Sequence, residues 1–203
     1  MEIAATIPQI FYDLIARVLP GFLFLLMLHF ELSGIKVKFI QLTSKNSMAI
    51  VLIALVCVVL SYFMGRMLFA VKFYSVEERV KKEYKSKLDK NSISISEMYH
   101  RIRIKNATEG FCILKLRAEA RMLETSRTGM IYIFIISLSL LLLSKLGLIP
   151  SSSQSLLVWG IKLCIPIIMA VAFGKCEWRA WRYYYVNTPV IYKILLETKV
   201  ESK

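Results

Sequence analysis

Sequence signatures of catalysis are missing from this chain of 203 residues. It contains no Walker loop, no dinucleotide fingerprint, no nucleophile elbow and no His-Glu-x-x-His, so the common routes to nucleotide, acyl and zinc chemistry are closed. Histidine is scarce. His29 and His100 each stand alone, without a second His or a carboxylate at ligand spacing, which argues against a metal or His-based acid–base site. The four cysteines, Cys57, Cys112, Cys164 and Cys176, are too widely separated for a zinc or redox motif or for a disulfide framework. Cys57 and Cys164 lie inside apolar blocks, where Cys acts as a small hydrophobe. No enzyme, no cofactor and no metal are expected. The start, MEIAATIPQIFYD, also lacks the basic residues and small-residue cleavage site of a signal peptide, so the first apolar block is expected to be retained.

Apolar residues, in contrast, are abundant and clustered. The chain is 57% hydrophobic with 27 Lys and Arg against 14 Asp and Glu. Its apolar residues fall into four blocks: Leu14 to Leu32, Met48 to Val71, Met130 to Leu148 and Leu156 to Gly174. At about 1.5 Å per residue, blocks of about 20 residues cross a hydrocarbon core of roughly 30 Å. The expected fold is therefore all-α and polytopic, with four transmembrane helices. The first block contains Pro20-Gly21 near its start, where a helix tolerates proline because the missing N–H would go unpaired. Upstream, residues 7–19 have helical spacing with Asp13 and Arg17 four apart. This stretch is either an interfacial helix or the first turns of the span. No inverted repeat is evident, and four spans leave little room for a midplane substrate site in one subunit.

The basic residues set the expected topology. Residues 72–129 carry fourteen Lys and Arg and the tail from Lys175 carries six, whereas residues 33–47 carry three and 149–155 none. Positive charge accumulates on the cytoplasmic side, so both termini and residues 72–129 are placed in the cytoplasm of a bacterial inner membrane, which is the plasma membrane. The chain then divides into residues 1–71 with spans 1 and 2, a cytoplasmic segment 72–129, residues 130–174 with spans 3 and 4, and a basic, aromatic tail from 175. Within 72–129, Lys72 to Lys90 reads as a helix with Val76, Val80, Tyr84 and Leu88 on one face. Asn91 to Ser94 breaks it, and Ser94-x-x-Glu97 resembles a capping box. A helical period from Phe111 continues into the third span. A cytoplasmic helical hairpin between the second and third spans is expected. Asn106-Ala-Thr108 fits a glycosylation sequon but falls on the cytoplasmic side.

Charged residues inside spans are functional candidates by default. Arg66, Lys145 and Lys162 all lie near a span end, where long side chains reach the headgroups. Lys145 and Lys162 share the outer end and in an oligomer would form an anion-attracting ring. After the fourth span, Trp178, Arg179, Trp181, Arg182 and Tyr183 interleave aromatics with cations. Beside a span this pattern reads as an interfacial belt contacting anionic lipid headgroups rather than as a nucleic-acid stacking surface, and no direct nucleic-acid contact is expected. Small residues four apart, Ser61/Gly65 and Ala170/Gly174, mark close helix packing, within the bundle or between copies.

The opening Phe11-Tyr-Asp-Leu-Ile-Ala-Arg-Val-Leu-Pro-Gly21 resembles the start of small bacterial membrane proteins. The plan of four spans and one basic cytoplasmic segment is similar to the membrane subunit of Kiwa-type anti-phage systems. That resemblance is one of size and layout and carries no residue over. It implies an oligomeric membrane sensor working with a cytoplasmic, nucleic-acid-directed partner. The function expected is a non-enzymatic, self-associating membrane subunit that docks a cytoplasmic protein. The rival is an oligomeric channel or pore-forming effector, with Lys145 and Lys162 biasing it toward anions.

Overall fold

The structure, a computed structural model, describes residues 2–33, 47–71, 75–85, 93–146 and 156–197. Every regular element among them is an α-helix: α1 Glu2–Ser33, α2 Ser47–Ala70, α3 Val76–Lys85, α4 Ile95–Lys105, α5 Ala107–Lys145 and α6 Leu156–Glu197. Four of these, α1, α2, α5 and α6, are long and apolar enough to cross a membrane. That is compatible with a multi-pass membrane protein and agrees with the four apolar blocks.

Helix α1 is a single helix of 32 residues. The stretch before the first apolar block is therefore continuous with the span and is not a separate helix. Pro20 accordingly lies well inside α1, not near its start, and it is buried. A proline in that position is tolerated in a membrane helix because neighbouring groups re-satisfy the freed backbone. The tail after residue 174 is helical too, since α6 runs on without a break to Glu197.

Two compact units divide these helices. A charged unit comprises Met1–Ala16, Tyr74–Glu124 and Lys175–Lys203, and an apolar unit comprises Arg17–Phe73 and Thr125–Gly174. Helices α1, α5 and α6 each contribute to both.

The charged unit has a core like that of a water-soluble domain. Val80, Ile102, Ile113, Ala120 and Trp181 are essentially fully buried, with Tyr184 and Tyr185 beside them. Helix α3 has ten residues, many of them charged, and is too short to persist alone. Val76 and Val80 on its inner face, with Tyr84 half-buried behind them, tie it to that core. Lys72 and Leu88 lie outside the described residues.

Helix α4 starts at Ser94, whose Oγ accepts from the Glu97 N–H at 3.2 Å. The Glu97 carboxylate turns instead to Arg101 Nη2 at 2.7 Å, so only half of the capping box forms. Asn106 ends α4 and caps α5, its Oδ1 accepting from the N–H groups of Thr108 and Glu109. The asparagine of the sequon is thus a helix cap. A Cβ on Gly110 would sit 2.9 Å from Arg103 Cα, so the α4–α5 corner closes only around glycine.

The apolar unit reverses this pattern. Along α2, Val51, Leu52, Leu55, Val56, Leu60 and Phe63 are exposed, while Ser61 and Gly65 are buried. Only 17% of the second span is buried inside the protein. Water would penalise such a surface at about 25 cal/mol per Å², whereas lipid does not. A small apolar cluster of Phe24, Leu68 and Ile133 joins α1, α2 and α5. The closest approach is between α1 and α2: a Cβ on Gly21 would overlap the Ser61 carbonyl oxygen, and one on Gly65 the Arg17 carbonyl oxygen.

A buried ion pair as the candidate functional site

The apolar unit contains a single carboxylate, Glu31, because every other Asp and Glu of the chain falls in the charged unit. Glu31 belongs to the last turn of α1, where backbone carbonyls have no partner inside the helix and the dipole is negative. Its side chain is buried, and it is met there by Lys162, seven residues into α6 and only 2% exposed. Lys162 Nζ donates to the Glu31 carbonyl oxygen at 2.8 Å and lies 3.8 Å from Oε2 of the same residue. One ammonium therefore caps the carboxyl end of α1 and neutralises its carboxylate.

Two more side chains complete the cluster. The Trp159 ring, one turn before Lys162 on α6, places its centroid 5.3 Å from Nζ, within cation–π range. Ser137 of α5 is wholly buried and gives its hydroxyl proton to the Ile133 carbonyl at 2.9 Å. Lys162 Nζ stands beyond hydrogen-bond distance of the Glu31 carboxylate, at 3.8 Å. The pair is thus electrostatic, with its one short hydrogen bond directed to the backbone. Taking two ions out of water costs several kcal/mol each, and removing one partner leaves the other charge stranded. The arrangement joins α1 to α6 through one ion pair and one side-chain-to-backbone hydrogen bond.

The structure moves two residues away from the roles expected of them. Lys162 does not reach toward headgroups: it is buried because the only carboxylate of its unit lies within range. Trp181 is not interfacial either. Helical spacing sorts the run 178–185, turning Trp181, Tyr184 and Tyr185 into the core of the charged unit while Arg179, Arg182 and Tyr183 stay exposed. Trp178 is half-buried beneath the Arg79 guanidinium, 5.8 Å from its ring centroid. Burial raises the Tyr184 and Tyr185 hydroxyls above the ordinary phenol value, and the Glu77 carboxylate pushes both in the same direction.

Arg66 and Lys145 are exposed. Ser61 and Gly65 pack against α1 of the same chain, so this small-residue pair serves the bundle itself. Ala170 and Gly174 line an open groove between α5 and α6. Arg17 lies over the Tyr62 ring at 6.0 Å. Among the described residues no group of three or more His, Cys, Asp or Glu side chains is placed to hold a metal.

Glu31 was the signal the sequence offered and its pattern alone did not decode. It is the one acid among the four blocks, close to the C-terminal end of the first, as Lys162 is close to the N-terminal end of the fourth. No family model, no curated protein and no solved structure matches the chain.

Proposed function

We propose that the chain is a non-enzymatic subunit of the bacterial inner membrane, with both termini in the cytoplasm, that self-associates and docks a cytoplasmic protein through its charged unit. One observation carries this reading. The three segments that the distribution of Lys and Arg assigns to the cytoplasm are the three that form the charged unit, which holds eighteen of the 27 basic residues. Within it α3, α4 and the first part of α5 pack with the last part of α6 around an aromatic core. A helical unit with a well-filled core and mixed charges is suited to protein recognition. The resemblance in layout to Kiwa-type membrane subunits makes a sensor in anti-phage defence the preferred setting, with a nucleic-acid-directed partner.

The Glu31–Lys162 pair fits a sensor. It links the first and fourth spans at one end, so a change that separates these groups alters how α1 and α6 meet. The channel reading loses support at the same place, because Lys162 is engaged by Glu31 and is not available to attract anions.

Docking is tested on exposed apolar side chains of the charged unit. Ile104 is 73% exposed, Tyr183 60% and Val190 51%, unusual exposures for a unit with a water-type core. Replacing all three by Asp is expected to abolish co-purification of the cytoplasmic partner while membrane insertion and helicity persist. Undiminished co-purification with the triple variant contradicts the reading.

A further inference from the structure

The groove between α5 and α6 has a volume of about 390 Å³ and is open along one side. Its α6 wall carries Pro166, Ala170 and Gly174, spaced four apart and small or tied back to the backbone, with Ile167 and Val171 beside them. Its α5 wall runs from Arg127 to Phe134. At about 1.5 Å per residue these walls are roughly 10–12 Å long. Arg127 and Gly174 lie at the same end, the Arg127 Cδ being 3.4 Å from where a Gly174 Cβ would stand. The groove is therefore apolar along its length with a cation at one end, and among the described residues Arg127 is the only charged one lining it.

That polarity matches an amphiphile with an anionic head. We infer that the groove binds one anionic phospholipid, an acyl chain lying along Pro166, Ala170 and Phe134 and the phosphate meeting Arg127. A guanidinium carries five N–H donors, so it can hold a phosphate together with an acceptor of the protein. A second copy of the chain is the poorer occupant. A helix of the apolar unit would bring no carboxylate to Arg127, because that unit has only Glu31, which is buried against Lys162. The site requires the membrane setting, and the proposed topology assigns it to the cytoplasmic leaflet, where anionic lipid attracts basic residues.

The test uses the full chain in a mild non-ionic detergent, with equal amounts of phosphatidylglycerol and phosphatidylcholine of identical chains, counting retained lipid by native mass spectrometry. The wild-type chain is expected to retain phosphatidylglycerol about fivefold over phosphatidylcholine, the factor ordinary for one basic residue at an anionic surface. Arg127→Gln should bring the ratio near one and Arg127→Lys should largely keep it. Ala170→Phe, which fills the groove, should reduce retention of the lipid. Inorganic phosphate should not compete, and Lys145→Gln should change nothing. Equal retention of the two lipids by the wild-type chain overturns the inference. So does a preference that survives both Arg127→Gln and Ala170→Phe, or one that phosphate alone displaces. Because phosphate competition needs no variant, it decides the matter even where Ala170→Phe does not fold. Lipid retention in detergent is blind to orientation, so a failure of the proposed topology would appear separately, as terminal tags reporting from opposite faces.

Discussion

Two units of one chain, built from shared helices, solve opposite solvation problems. In the charged unit Trp181 is wholly buried and charged residues such as Arg101, Arg179 and Arg182 face outward. In the apolar unit Leu52 and Phe63 face outward, and the one acid is buried with a lysine. Apolar side chains thus contribute with opposite sense on either side of Ala16, Glu124 and Gly174. Burial of apolar residues is what stabilises a unit with the core of the first. In the second, helices are held by close backbone approach at Gly21 and Gly65 and by one buried ion pair, as expected where the solvent is itself apolar.

Substitutions in matched pairs break this comparison most clearly. Trp181→Ala is expected to cost about 3–5 kcal/mol and to unfold the charged unit, read as protease sensitivity of α3 and α4, while the apolar unit stays inserted. Leu52→Ala, equally a loss of apolar mass but on an exposed face, should change stability by less than about 0.5 kcal/mol. Removing one ion of the apolar unit, by Lys162→Met, should destabilise it by about 3–5 kcal/mol in a detergent-denaturation series. Glu31→Gln combined with Lys162→Met should recover much of the loss, because no unpaired charge remains. Additive losses in the double variant would contradict the pairing.

A charge placed on the outer face sharpens the contrast. Leu55→Asp should oppose insertion of α2 by about 3 kcal/mol, measured by glycosylation mapping, whereas Lys81→Asp on exposed α3 should alter stability by about 0.5 kcal/mol or less. The smallest effect concerns pH. Tyr184 and Tyr185 have raised values in the folded unit, so their contribution is complete below the ordinary phenol value of 10.0 and is lost as pH rises above it. Helicity of the charged unit should fall above pH 10 in an alkaline titration followed by circular dichroism. Tyr185→Phe should shift that fall upward, at the cost of the weak 3.4 Å hydrogen bond to Glu77.

The spans were legible because hydropathy over about 20 residues is a strong and local signal. Ser94 and Val80 were legible as a cap and an inner-face residue for the same reason, since capping and helical spacing act over a few residues. The Glu31–Lys162 contact joins residues 131 apart, and nothing local distinguishes a lysine bound for a headgroup from one aimed at a distant carboxylate. Trp181 failed to declare itself for a related reason. Aromatics beside cations suit a membrane interface, and only the continuation of α6 to Glu197 turns part of that run into a core. Pro20 misled through a rule drawn from water, where an interior proline would break the helix.

The division into two solvents can be measured on the four native cysteines, all of them exposed on the protein surface. Cys57 and Cys164 belong to the apolar unit, and Cys112 and Cys176 to the charged unit. In single-cysteine variants held in native membranes, with the cytoplasmic face open to reagent, a water-soluble maleimide should modify Cys112 and Cys176 rapidly. It should leave Cys57 and Cys164 unmodified until detergent and denaturant are added, since the thiolate that reacts forms in water and not in hydrocarbon. Equal modification of all four in the intact membrane would contradict the account.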